Sequence, residues 1–366
     1  MKVVITGGGT GGHIYPATAI LEKIKKIEPS SEFLYIGTHN RMEKDLVPKM
    51  GIRYEAIKMT GISRKINLQN IRTFFYLFFG ILKSRRILKK FNHDVVDGTG
   101  GYVTVPVIYA ASKLKIPTFI HEQNATVGMA NRFLSKYATK IGVSFEDTLK
   151  DFPKDKVFFS GNPRAEQVYH YQGSGKTAYG FSKDKKLVLV VSGSLGARVI
   201  NESIYNNLEE ISKKDYEMLF VTGNEFYEEI KNNLRKYDNI KVVPFIDLAQ
   251  ILKDVDLMVT RAGATTISEI NAIGIASIMI PSPNVVDDHQ VKNARNLEKH
   301  GAAVVILEDE LTGEKLINEI DRIINNSDIL QKMRENSFRL GVRDSALRIY
   351  EELKAISKKN VRKGEL

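Results

Sequence analysis

Lys2-Val-Val-Ile-Thr-Gly-Gly-Gly-Thr-Gly-Gly12 runs an apolar, β-branched stretch straight into a glycine turn. Leu187-Val-Leu-Val-Val-Ser-Gly-Ser-Leu-Gly-Ala197 does the same again halfway along the chain. Each is followed by a helical pattern, Ile14–Ile27 in the first case and Ile200–Ile211 in the second. Strand, tight turn and helix in that order open a βαβ unit. Working outward, further short apolar runs follow the first opening at Phe33–Ile36, Val95–Val96, Thr118–Ile120 and Lys140–Val143. The second opening is followed by Met218–Val221, Ile240–Val243, Leu257–Val259 and Ser277–Ile280, with a helical pattern at Ile267–Ile273. Runs that are apolar throughout, rather than alternating, belong to parallel strands covered on both faces. The sequence therefore predicts an α/β chain with two Rossmann-like parallel-sheet domains, 1–163 and 164–340. The polar stretch Asn162–Lys185 holds the junction. A last helical pattern, Ser345–Lys359 within 341–366, is long enough to pack back towards the first domain.

Composition narrows the function. Of 366 residues, 43% are hydrophobic and 27% charged, which is ordinary for a globular protein and excludes an intrinsically disordered chain. There is no cysteine, so disulfides, thiolate metal sites and cysteine nucleophiles are excluded. The first residues enter a strand too early for a secretory signal, and the expected location is cytoplasmic. The net charge is +11, and it is unevenly placed. Residues 1–163 carry 25 basic and 13 acidic side chains, whereas residues 164–366 carry 29 and 30. A basic half suits nucleic acid, an anionic membrane surface or a phosphorylated substrate. No recognition helix, zinc site or aromatic RNA-binding motif supports nucleic acid.

Gly7–Gly12 also satisfies G-x-G-x-x-G, the dinucleotide fingerprint. That reading needs an acid at the end of the second strand to hold a ribose hydroxyl. Here the strand ends in Gly37-Thr38-His39-Asn40, without one. The more general physics of a glycine turn before a helix still holds. Backbone can approach a phosphate closely, and the helix N-terminus favours negative charge. Three such loops follow strands: Gly7–Gly12, Gly98-Thr-Gly-Gly101 and Gly193–Gly196. They favour two phosphorylated ligands or one large one. None is a P-loop, because no G-K-[ST] follows. Asp254-Val-Asp256 has the D-x-D form of many metal-dependent sugar-nucleotide enzymes, but it opens a strand and reads as a loop-end pair.

Gly7-Gly-Gly-Thr-Gly-Gly-His-Ile-Tyr-Pro16 resembles the opening of the MurG glycosyltransferases. The resemblance continues at Gly98-Thr-Gly-Gly-Tyr102, His121-Glu-Gln-Asn124, Gly161-Asn-Pro-Arg164, Gly193–Ala197, Arg261-Ala-Gly-Ala-Thr-Thr-Ile-Ser-Glu269 and His289-Gln290. It implies a GT-B fold, with two Rossmann-like domains separated by a deep cleft. It further implies transfer of N-acetylglucosamine from UDP-N-acetylglucosamine to the undecaprenyl-pyrophosphoryl-muramyl-pentapeptide of peptidoglycan synthesis, with inversion. Alternatives are another GT-B UDP-sugar enzyme, such as a glycolipid glycosyltransferase or a UDP-N-acetylglucosamine 2-epimerase, and a non-catalytic nucleotide-sugar-binding protein. The implied partners are donor, lipid-linked acceptor, an anionic membrane surface on the cytoplasmic side and other cell-wall synthesis proteins. No cofactor or metal is implied.

Residue by residue, the resemblance makes His13 the general base, with Glu122 a weaker alternative. Position alone would make His13 a cap or a packed ring. On the donor side it places Thr10, Gly11, Gly12, Asn124, Arg164, Ser194, Ile246, Ala264, Thr265, Thr266, Glu269 and Gln290. Glu269 would accept from the ribose hydroxyls, although at a helix start its plainest role is a solvated carboxylate. Gly98, Thr99, Gly100, Gly101 and Tyr102 would meet the acceptor pyrophosphate. Asp97, just before that loop, stands where an apolar residue is expected.

One further stretch has its own logic. Residues 56–93 hold nine basic side chains and no acidic one. Inside lie Phe74, Phe75, Phe78, Phe79 and Leu82, followed by Lys83, Arg85 and Arg86. The apolar run is too short to span a bilayer. It reads either as a core helix with a basic end or as a helix lying on a membrane surface.

Overall fold

The computed structural model describes residues 1–61, 68–192, 197–285 and 288–357. The expectation for Ser194, the third glycine loop, and the end of the last helical pattern fall outside them.

The chain forms two compact units, residues 1–167 with 343–366, and residues 168–342. In order, the first contains β1 (Lys2–Gly7), α1 (Gly11–Ile27), β2 (Glu32–Thr38), α2 (Glu43–Lys49), β3 (Arg53–Ile57), α3 (Leu68–Phe91), β4 (Val95–Gly100), α4 (Thr104–Lys113), β5 (Thr118–Glu122), α5 (Met129–Leu134), β6 (Lys140–Val143) and β7 (Val157–Phe159). Helix α6 (Pro163–His170) carries the chain onward. The second unit contains β8 (Leu187–Val191), α7 (Arg198–Tyr205), α8 (Leu208–Ile211), β9 (Glu217–Val221), α9 (Asn224–Ile230), β10 (Ile240–Val243), β11 (Leu257–Thr260), α10 (Ala264–Ile273), β12 (Ala276–Met279), α11 (His289–Lys299), β13 (Ala303–Val305), α12 (Gly313–Ile324) and α13 (Ser327–Leu340). Helix α14 (Ser345–Ile356) returns to the first unit.

Both sheets are parallel and doubly wound. Their orders are β3-β2-β1-β4-β5-β6-β7 and β10-β9-β8-β11-β12-β13. In each, the order reverses between the first and fourth strands of the sheet, which are neighbours. Loops leaving the carboxyl ends of those two strands diverge and open a crevice, where ligands of such sheets bind. In the first unit those are the glycine loops after β1 and β4. In the second, the loop after β11 is the one among the described residues.

The two faces of the first sheet have separate cores. Val4, Val96 and Ile120 face α4 and α5, with Val107, Ile108 and Leu134. Val3, Ile5, Val95 and Phe119 face α1 and α14. Ile349, Leu353 and Ile356 of α14 pack there with Ile20 and Ile24 of α1. Polar ties fix the helix: Ser345 Oγ donates to Asn162 O at 2.6 Å, Leu347 N to Glu166 Oε2 at 2.9 Å, and Tyr350 Oη to Glu28 Oε1 at 2.8 Å. Strands β3, β7 and β13 lie at sheet edges, where mixed polar and apolar residues suffice, and periodicity did not reveal them.

Asp97 breaks the pattern of its face. On β4, it pairs in register with Ile5 on one side and Phe119 on the other. It is fully buried, and neither carboxylate oxygen has a hydrogen-bond partner among the described residues. Burial pushes its pKa up to about 8, so the folded chain holds it as the neutral acid at pH 7.

Helix α3 settles the choice left open for its phenylalanines. Phe74, Phe75, Phe78 and Phe79 are each about 60% exposed, and Ile71 and Leu82 are exposed beside them. The face that packs against the protein carries Thr73, Gly80, Ser84 and Leu88. A Cβ on Gly80 would lie 3.3 Å from Pro106 of α4, so small residues let the two helices close up. The aromatic residues are not core. No helix among the described residues is long and apolar enough to cross a membrane.

Candidate functional site

In the first unit the two glycine loops lean on each other. Gly8 N–H donates to Gly100 O at 3.2 Å. A Cβ on Gly7 would meet Thr99 Oγ1 at 2.1 Å, and one on Gly101 would meet Gly8 O at 2.3 Å. Gly100 and Gly101 also have φ of +109° and +86°, where a side chain would be strained. Glycine is required here by contact as well as by conformation. Gly98 sits within β4, against Thr104 and Ile108. Tyr102 is half exposed, with its ring over Gly61.

His13 lies in the first turn of α1, half-buried, at this junction. Its Nδ1 is 3.1 Å from Thr99 O, and Thr99 Oγ1 donates back to His13 O at 2.8 Å. A carbonyl can only accept, so Nδ1 carries the proton. In the neutral ring the lone pair is then on Nε2. Gln123 Nε2 also donates to Thr99 O, so that carbonyl is held from both sides. Thr10 caps α1 through its backbone, its carbonyl accepting from His13 N at 3.1 Å and Ile14 N at 3.3 Å. Its side chain makes no cap hydrogen bond, and Thr10 and Gly12 are exposed while Gly11 is half-buried.

Glu122 and His121 differ from His13 in a decisive way. Glu122 is buried, and its two oxygens take four donors: Asn124 N, Asn124 Nδ2, Gly128 N and Asn131 Nδ2, at 2.9–3.3 Å. Such a carboxylate holds a loop, and specifically Asn124. His121 is fully buried and donates from Nε2 to Gly161 O at 2.9 Å. Burial pushes its pKa down to about 4, so it stays neutral and ties β5 to the Gly161-Asn162 turn. Arg164 follows that turn. Its backbone N–H donates to Asn162 Oδ1 at 3.1 Å, its Nη1 to Gln167 Oε1 at 2.6 Å, and its guanidinium lies 5.6 Å from the Tyr15 ring centroid.

In the second unit the expected donor residues collect at the carboxyl edge of the sheet. Ile246 follows β10, Ala264, Thr265 and Thr266 form the first turn of α10 after β11, and Gln290 lies in α11 after β12. That first turn contains no acidic residue. Glu269 is not the solvated carboxylate of a helix start. It lies in the middle of α10 and is buried. Gln290 Oε1 accepts from Ser282 N at 2.9 Å, which fixes the loop after β12. Arg261 pairs with Glu308 at 2.5 Å and donates to Ile280 O at 3.1 Å. Asp254 and Asp256 are committed to the framework: they accept from Lys176 N and Leu187 N, and Asp256 also pairs with Arg334 at 2.9 Å. Phe245, 70% exposed beside Ile246, escaped the sequence reading because a lone phenylalanine has no periodicity.

Two doubly wound parallel units are the architecture of the GT-B class. The N-terminal domain model of glycosyltransferase family 28 matches residues 3–143, and the C-terminal domain model of that family matches residues 187–349. The chain belongs to this family and, within it, to the MurG enzymes. It is 45% identical over 364 residues to the UDP-N-acetylglucosamine–N-acetylmuramyl-(pentapeptide) pyrophosphoryl-undecaprenol N-acetylglucosamine transferase of Bacillus cytotoxicus, covering 98% of this chain and all of that one. Among solved structures it is similar to MurG of Acinetobacter baumannii, with a TM-score of 0.78 and 28% identity over 96% of this chain and 99% of that chain. A UDP-GlcNAc 2-epimerase from Neisseria meningitidis shares the fold alone, with a TM-score of 0.68 and 17% identity over 97% of this chain and all of that one.

Proposed function

We propose that this chain transfers N-acetylglucosamine from UDP-N-acetylglucosamine to the undecaprenyl-pyrophosphoryl-N-acetylmuramyl-pentapeptide acceptor, inverting the anomeric carbon. Among observations on the site, the orientation of His13 carries the reading. With Nδ1–H on Thr99 O, the ring offers Nε2 as a base at the loop junction. The acceptor hydroxyl gives its proton to Nε2 while its oxygen bonds to C1 of the sugar. The bond from C1 to the UDP phosphate oxygen breaks on the opposite face, and UDP leaves with the electron pair. Inversion follows from that single displacement. The loop Gly98–Tyr102 holds the acceptor pyrophosphate, and Thr10, Gly11, Gly12, Asn124 and Arg164 serve the sugar and phosphate of the donor. The relatives' 45% identity over their whole length supports this reaction over epimerisation. The deciding experiment combines labelled UDP-N-acetylglucosamine with a short-chain lipid acceptor. Free UDP is released only when acceptor is present. Conversion of the donor sugar without acceptor would point to the epimerase instead.

Ile246, Ala264, Thr265, Thr266, Glu269 and Gln290 form the uridine diphosphate side of the proposal. Glu269→Ala then weakens UDP binding at least tenfold, since one charge-assisted hydrogen bond contributes ~1.5–3 kcal/mol. Calorimetric titration measures this, with a thermal melt run alongside because Glu269 is buried. Unchanged affinity in a folded variant removes Glu269 from the site.

The acceptor's tail stays in a bilayer, so the enzyme must reach the membrane surface. Exposed Phe74, Phe75, Phe78, Phe79 and Leu82 of α3 enter the headgroup boundary in this reading, flanked by Lys83, Arg85 and Arg86. At ~1 kcal/mol per basic residue near an anionic surface, the attraction is appreciable at low salt and screened at high salt. Wild type floats with anionic vesicles and is released by salt. Phe75→Glu with Phe79→Glu floats less yet melts normally, because both rings are exposed. Equal flotation with neutral and anionic vesicles defeats the electrostatic part.

A further inference from the structure

The sequence places no acid at the end of β2, yet the fold brings one there from α2. Glu43, the first residue of that helix, is fully buried. Its Oε1 accepts from Thr38 N at 3.1 Å and Thr38 Oγ1 at 2.6 Å, at the end of β2. Its Oε2 accepts from Gly9 N at 3.1 Å, at the apex of the first glycine loop. The side chain threads between two glycines. A Cβ on Gly8 would lie 2.5 Å from Oε1, and one on Gly37 would lie 2.7 Å from Glu43 Cγ. Two tyrosines brace the same segment, Tyr35 Oη donating to Gly7 O at 2.8 Å and Tyr54 Oη to Thr38 O at 2.6 Å.

The consequences run along the chain. Gly9 has a φ of +95°, which glycine adopts without steric cost, and its amide donates inward to Glu43. Gly8 N–H is taken by Gly100 O. Both apex amides are thus used inside the protein. The next residue, Thr10, supplies the carbonyl that starts α1 and receives His13 N. Where Gly9 is pinned therefore decides where α1 begins, and with it where the His13 ring stands against Thr99.

We propose that Glu43 is a positioning residue for sugar transfer: by clamping Gly9 to Thr38 it fixes the first glycine loop and, through Thr10, the placement of His13. This rests on the reading of His13 as the base. Glu43 touches no substrate in this account. A carboxylate suits the task because both its oxygens accept, whereas glutamine has one oxygen and an NH₂ that cannot accept, so either Gly9 N–H or Thr38 N–H loses its acceptor and the clamp is broken.

The test is a double-mutant cycle on turnover. Glu43→Gln lowers kcat about tenfold or more, as expected for loss of one charge-assisted hydrogen bond. UDP affinity falls by less than turnover, because the uridine side belongs to the second unit in this reading while only Thr10, Gly11 and Gly12 of the clamped loop meet the donor's sugar and phosphate. In the His13→Ala background the same substitution lowers kcat by less than twofold, because its effect passes through the imidazole. A merely structural role gives the same loss in both backgrounds, or none in either, and either result overturns the proposal. If Glu43→Gln does not fold, Thr38→Val takes its place: it removes the 2.6 Å hydroxyl bond and leaves the carboxylate, and the same non-additivity is expected at smaller amplitude. If His13→Ala by itself leaves turnover intact, the base assignment fails, and that outcome is separate from the cycle.

Discussion

His13→Ala lowers turnover by about 10²–10⁴-fold while UDP affinity changes little, the range spanned by loss of a positioned general base. Thr99 holds the ring in place. Its carbonyl accepts from His13 Nδ1 and from Gln123, and its hydroxyl donates to His13 O, so the imidazole is fixed in plane and in tautomer. Removing the ring leaves Thr99 O with Gln123 as donor, and the loop junction also keeps the Gly8–Gly100 bond. The substitution therefore removes chemistry with modest damage to the framework. Steady-state kinetics with lipid acceptor, calorimetric UDP titration and a thermal melt separate the outcomes. The acid limb of the pH–rate profile should vanish with the ring. Lost UDP affinity together with a lowered melt would make His13 a cap, and wild-type kinetics would leave it no part in transfer.

Asp97→Val makes the first unit markedly more stable at neutral and alkaline pH. Asp97 lies in a row of buried apolar residues and holds its proton up to about pH 8, against an ordinary value of 3.8. A carboxyl whose pKa is raised in the folded state binds more protons folded than unfolded. Stability is therefore greatest below the unfolded value and declines as pH rises from about 4 to about 8, where the decline ends. At 1.36 kcal/mol per unit, the penalty relative to acid reaches roughly 4 kcal/mol by pH 7. Valine has no charge to desolvate, suits a strand and joins a face already lined by Val3, Ile5 and Val95. Thermal melts of wild type and variant across pH 5–9 test this. The variant melts higher, and the gap widens with pH up to about 8. A gap that does not depend on pH would show that the carboxyl is not held neutral.

Glu43 and Glu269 mark the limit of what residue types and spacing can tell. Glu269 reads in sequence as an acid near a helix start, where the ordinary expectation is a solvated carboxylate complementing the dipole, while Glu43 falls in a stretch with no helical or strand pattern of its own. Both are buried instead. For Glu43 the reason is that α2 folds back over the end of β2, and no local pattern records that return. Glu122 and Gln123 illustrate the same point from one strand. Their neighbours in sequence announce a motif, but only the fold shows that Glu122 is saturated by four donors while Gln123 reaches Thr99 O. The phenylalanines of α3 were ambiguous for a complementary reason. Their spacing fits a helix, but spacing cannot say which side of a helix the protein covers. Gly80 against Pro106 decides it, since the close approach must be on the glycine side.

The sequence by itself determined the two parallel sheets, their glycine turns, the uneven charge and the family. These follow from local chemistry: apolar runs, glycines at turns and the order of motifs are all short-range. Tertiary structure alone decided that α14 closes the first unit, that the loops after β1 and β4 interlock, that His13 carries its proton on Nδ1, and that Asp97 is buried with no hydrogen-bond partner among the described residues. Each depends on residues far apart in the chain, such as His13 with Thr99 or Tyr350 with Glu28. The physical reason is that burial and hydrogen-bond partnership belong to the packed chain, while propensity belongs to the residue.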